Sequence, residues 1–235
     1  MKTIDVTVPK KGLAVEILGG LTFVMVLLSL WAIFIYVPTE RVMGIVQKIF
    51  YYHVSLGFNT FLAFFIVFIY SILYLWKRDF YYDIVAHAAA EVGIVLCSLV
   101  LITGPIWAKP IWGTWWTWDA RLTTTLILWM IYIAYLMLRS AAGSDAQKAR
   151  YAAVFGIVGF VDVPIVYFSI HWWRTIHPVV IKASGMSLAP EMKQTMFISL
   201  AAITLLHIFI LTLRVKVGLA KHTLEGLKIK LTAGH

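Results

Sequence analysis

The chain has 235 residues, 61% of them hydrophobic and 13% charged, with a formal net charge of +9. A soluble domain is nearer half apolar and about 25% charged, so this composition, with a mean hydropathy of +0.87, excludes an ordinary water-soluble core and makes the bilayer the solvent. The positive excess has no basic, aromatic-interleaved soluble face to rest on, which excludes a nucleic-acid binder.

Six apolar runs are long enough to span, 17–37, 54–76, 84–108, 122–138, 152–170 and 195–213, against about 20 residues needed to cross the hydrocarbon. They predict one all-α domain over 1–235, a six-helix transmembrane bundle. The first run is too long for a signal-peptide core and no small-residue cleavage site follows it, so it reads as a retained helix. The connection 38–53 places Val42, Ile45, Val46, Ile49 and Phe50 at helical spacing. That spacing predicts a short amphipathic helix in the outer interface, delivering His53 to its apolar side. The third run holds the single cysteine, Cys97, so the chain has no internal disulfide. No Cys-x-x-Cys-His is present to attach haem covalently. His87 and Glu91, four residues apart, share a face of this run.

Next comes KPIWGTWWTWDARLTTTL, residues 109–126. Trp107, Trp112, Trp115, Trp116 and Trp118, five of the ten tryptophans, fall close together here. An aromatic belt is the ordinary reason for interfacial tryptophan, but a belt spreads around the bundle. Trp112, Trp115 and Trp116 are spaced i, i+3, i+4, so a helical turn here would set all three on one face, a platform for a planar apolar ligand. Asp119 is placed to cap the fourth helix, and Arg121 is suited to pairing a carboxylate. In the fifth run Asp162 lies near mid-depth, two residues before Pro164. The long connection 171–194 carries Trp172, Trp173 and His177. The sixth run contains His207, and a basic tail, 214–235, follows it as a surface-bound or loose segment. Ionisable groups such as Glu91, His87, Asp162 and His207 serve either as helix-to-helix glue or as a proton or ligand path.

If both termini share one side, that side holds thirteen of the twenty Lys and Arg residues and the other holds seven. The bias places both termini in the cytoplasm and adds attraction to anionic membrane lipid. His53 and His177 then both lie on the outer side, flanking the tryptophans, and neutral imidazole is the usual axial ligand of haem iron. From the residues alone a planar tetrapyrrole stands beside a quinone or a lipid headgroup.

The string WGTWWTWDARLT, 112–123, resembles the tryptophan-rich WWD signature of the haem-handling membrane proteins of cytochrome c biogenesis. VMGIVQKIFYYHVS, 42–55, resembles that family's first outer histidine motif and SIHWWRTIHPVV, 169–180, its second. With six helices and this length the chain is similar to the cytochrome c maturation protein C (haem exporter protein C) family. The resemblance implies haem b held at the periplasmic face of the bacterial inner membrane, with His53 and His177 as axial ligands. Trp112, Trp115, Trp116 and Trp118 become the platform, Asp119 and Arg121 the acid and base of the signature, and Lys48 and Arg174 further haem contacts. Lys48 stands where the family commonly has arginine, and Ser55 where it has proline. Handover to the haem chaperone, protein E, is implied, with the single-helix protein D and the ABC transporter proteins A and B as partners. The resemblance implies a binding and transfer protein rather than an enzyme in its own right. Two alternatives are a haem permease and a cytochrome c synthase-type ligation protein. A membrane-embedded b-type cytochrome would want histidine pairs facing each other from within helices.

Overall fold

Inside hydrocarbon no water is available for backbone N–H and C=O groups, so each spanning segment must satisfy them internally, and helices do this. The computed structural model describes residues 12–140, 143–175, 177, 181–182, 185–186 and 188–233. Helix α1 (Leu13–Trp31) runs into a π turn, Ala32–Tyr36. A 3-10 turn, Ile45–Lys48, opens directly into α2 (Ile49–Lys77). Then follow α3 (Phe80–Trp112), α4 (Ala120–Ser140), α5 (Asp145–Gly159), α6 (Asp162–Trp172) and α7 (Pro190–Ala233). A small antiparallel ribbon, β1 (Ile181–Lys182) with β2 (Gly185–Met186), precedes α7. Among the described residues six segments, with α5 and α6 forming one of them, are long and apolar enough to cross a membrane. The chain is a multi-pass membrane protein.

Local chemistry sets the helix ends. Arg78 turns left-handed at φ 59° to end α2, and Asp79 then caps α3 by accepting from the Tyr81 N–H at 2.8 Å. Gly113, at φ 73°, ends α3, a conformation glycine adopts without steric cost. A capping box of Ser144 and Gln147 starts α5.

The centre is the α2–α3 pair. Ala86, Ala89, Ala90 and Gly93 keep that face of α3 thin, and small residues let membrane helices approach closely. A Cβ on Gly93 would fall 2.6 Å from the Phe64 ring. Phe64 stacks on Tyr132 of α4 at 3.6 Å, nearly parallel. Polar ties link the helices. Arg139 of α4 donates two 2.6 Å hydrogen bonds to Asp83 of α3. Glu91 accepts from Arg214 of α7 and lies 3.5 Å from His87. His207 Nδ1 lies 3.2 Å from Asn59 Oδ1 on α2.

Several expectations change. The amphipathic segment expected over 38–53 is not a separate interfacial helix. No breaker separates Ile45 from α2, so the long helix starts at Ile49 and takes His53 into its second turn. The fifth run is broken between Gly159 and Asp162, because Pro164 lacks the N–H that would bond Phe160 and its ring crowds that carbonyl. Asp162 therefore opens α6, where the helix dipole favours a carboxylate. The basic tail is no loose segment through Ala233, for it continues α7 as an exposed helix. Both chain termini, and Ile176 with Pro178–Val180 of the second histidine motif, lie outside the described residues.

Candidate functional site

Helix α3 has 33 residues, about 50 Å of helix against about 30 Å of hydrocarbon, so its length exceeds the span. At the end where α3 gives way to α4, a cleft opens between α2, α3, α4 and α6. It holds about 1470 Å³ counting its open mouth. Lining residues run along α3 from Trp112 down to Cys97, about 22 Å of helix.

His53 and His177 come together here, with ring centroids 6.4 Å apart and planes inclined by 36°. An imidazole nitrogen holds a metal ion at about 2 Å and lies about 1 Å from its ring centre, so two trans imidazoles sharing one ion keep centroids about 6 Å apart. The separation fits one metal ion between them.

His53 is 8% exposed. Its Nδ1 lies 2.9 Å from the Thr103 hydroxyl, and Trp107 stands 5.8 Å from its ring. His177 is positioned from α4. Asp119 Oδ1 accepts the Leu122 N–H at 3.0 Å, capping α4 as the sequence suggests. Its Oδ2 accepts the Thr175 hydroxyl at 3.0 Å, and Thr175 Oγ1 in turn accepts the His177 N–H at 3.0 Å. Asp119 thus reaches the site through Thr175 rather than by lining it.

The expected helical turn over Trp112–Trp116 does not form. Gly113 ends α3 immediately after Trp112, and Lys109 reinforces the stop by donating to the Gly113 carbonyl at 2.9 Å. Trp112, Trp115 and Trp116 line the cleft all the same, from a helix end and an irregular strap. The indole N–H groups of Trp107 and Trp116 are buried with no acceptor among the described residues. Such orphaned donors ask for a ligand or water.

Arg121 lines the cleft while donating to the Val166 and Tyr167 carbonyls of α6 at 3.1 and 3.2 Å. Three other expected contacts stand elsewhere. Trp118 is 76% exposed, edge-on to Trp116. Lys48 donates to the Phe34 carbonyl at 3.0 Å and lies over that ring. Arg174 is exposed and does not line the cleft.

The chain matches the family described as Heme exporter protein C over residues 6–230. It belongs to that family. A Heme exporter protein C of Bradyrhizobium diazoefficiens is 36% identical over 177 residues, 73% of this chain and 66% of that protein. The Heme exporter protein C of Paracoccus denitrificans is 30% identical across 81% of this chain and 80% of its own length. A ccmC-like mitochondrial protein of Marchantia polymorpha, named for cytochrome c biosynthesis, is 33% identical across 77% and 76%. The motifs that carry the resemblance are therefore those of this heme exporter family, and its histidines and cleft-lining tryptophans converge in space.

Within this family member, sequence reasoning missed Thr103, Gly104 and Tyr167 as site residues. All lie inside apolar spans, where a threonine or glycine reads as helix packing. A contact of Thr103 with a histidine on another helix leaves no trace in local periodicity.

Proposed function

We propose that this chain binds haem b at the periplasmic face of a bacterial inner membrane and passes it to a haem chaperone, protein E, during c-type cytochrome biogenesis. The carrying observation is the 6.4 Å between the His53 and His177 rings across an indole-lined cleft. The two imidazoles would hold the iron of the cargo from both sides. Trp112, Trp115 and Trp116 would cover the ring and exclude water, and the unsatisfied N–H groups of Trp107 and Trp116 would offer it hydrogen bonds. Arg121 sits where it can meet a propionate, as a cation beside aromatics suits a carboxylate. Asp119 holds the segment bearing His177. The protein acts by holding and releasing rather than by breaking bonds, with proteins D, A and B as its complex.

Release requires that docking of the chaperone, or the cycle of the transporter, favour a state that grips haem less tightly. A ligand bound equally by both states shifts nothing. Expression with protein E, followed by absorption spectra of the purified protein, tests the reading. His53→Ala and His177→Ala should each lose the haem Soret band and leave the chaperone unloaded. Normal loading in both variants would falsify the ligand assignment.

A further inference from the structure

We infer that Thr103 is a positioning residue that sets the tautomer of His53, leaving Nε2 as the metal-facing nitrogen; this rests on the haem reading above. Thr103 Oγ1 lies 2.7 Å from the Leu99 carbonyl, 3.4 Å from the Val100 carbonyl and 2.9 Å from His53 Nδ1. A hydroxyl has one proton to give, and a carbonyl can only accept. The proton goes to Leu99, one helical turn back, as threonine hydroxyls within helices do. A lone pair of the same oxygen then faces His53, and only an imidazole protonated at Nδ1 completes that contact. Nε2 is left bare, the form in which a neutral imidazole ligates a metal.

The neighbouring backbone fixes the ring as well. A Cβ on Gly104 would fall 3.3 Å from His53 Cε1, tighter than ordinary van der Waals contact, so α3 lies directly against the imidazole edge there. Trp107 follows one turn on, 5.8 Å from the ring. Hydroxyl, glycine and indole come from positions 103, 104 and 107, about one turn of α3, and bear on a histidine of another helix. Ligating histidines ordinarily have such a partner on the second nitrogen, which fixes ring orientation and raises ligand basicity. Here the partner is Thr103. A more basic ligand also favours ferric over ferrous iron, so the contact lowers the reduction potential of the bound iron.

The full-length protein in detergent tests this with iron protoporphyrin IX as probe. Nitrogen NMR of histidine-labelled, haem-free protein should show His53 protonated at Nδ1; the opposite tautomer overturns the inference without any variant. Thr103→Val, equal in shape but unable to accept, should bind the porphyrin about 10- to 100-fold more weakly and raise the midpoint potential. Thr103→Ser should restore both. Unchanged affinity and potential in Thr103→Val refute the role of Thr103. Should that variant fail to accumulate, the wild-type tautomer decides. His53→Ala in the same assay keeps the two readings apart. Undiminished uptake there sinks the ligand assignment itself, whereas loss there with no change in Thr103→Val sinks only the role of Thr103.

Discussion

Asp119 touches two backbones at once, through its own cap on α4 and through Thr175 to the His177 N–H. Asp119→Ala should therefore cost about 1 kcal/mol as a lost helix cap, read by thermal unfolding. It should also loosen haem retention, read from the Soret band. Asp119→Asn keeps an acceptor for Leu122 and should fall between. The tryptophans are unequal as well. Trp116 lines the cleft, while Trp118 is 76% exposed. Trp116→Ala is expected to weaken haem binding about tenfold, about 1.4 kcal/mol. Trp118→Ala, as a surface change, should stay within about 0.5 kcal/mol. Equal losses in a binding measurement would reverse that ranking.

At the scale of elements, the close fit of α2 to α3 underlies the site, because His53 lies on one helix and Thr103 on the other. Gly93→Ala would press a methyl group into Phe64. The expected cost of such overpacking is about 1–3 kcal/mol, measurable by unfolding in mild detergent. The α3–α4 tie is of a different kind. Asp83 and Arg139 have 7% and 17% of their side chains exposed, and stranding one member of a buried pair costs about 3–5 kcal/mol. Asp83→Ala should thus destabilise strongly, and Arg139→Met added to it should recover part of the loss in a double-mutant cycle. Glu91 and Arg214, 29% and 38% exposed, form a weaker tie, worth about 1 kcal/mol or less. Glu91 with Arg214 and His207 with Asn59 make contacts between helices, while His87 pairs with Glu91 within α3.

For the whole molecule, the thirteen-to-seven division of Lys and Arg makes orientation testable. Reporter fusions in the α2–α3 turn at Arg78 should behave as cytoplasmic, and those in the strap at Gly113 as periplasmic. The reverse pattern would place the cleft on the wrong side for a periplasmic chaperone. Glu91 lies in the half of α3 remote from Trp112, about three helical turns from Thr103, and is paired with α7. Glu91→Ala should leave haem at the His53–His177 site unchanged, as judged by co-purified haem per protein. Starvation of that site would favour passage of haem through the bundle.

Six spans, their order and the helical class were legible in the sequence, because hydrocarbon accepts only segments that satisfy their own backbone and a run of apolar residues records that demand locally. The tryptophan cluster and the two histidines were legible as candidates from residue type and motif. Their convergence was implied by the family resemblance but by no local pattern, since the 6.4 Å between His53 and His177 depends on how α2, α4 and α6 pack. Nor could spacing tell that Gly113 would stop α3 and throw Trp115 and Trp116 onto a strap, or that Lys48 would turn back to Phe34. Helix periodicity is written in neighbours along the chain, whereas a site between helices is decided by contacts between residues distant in sequence, and only the packed tertiary structure contains those.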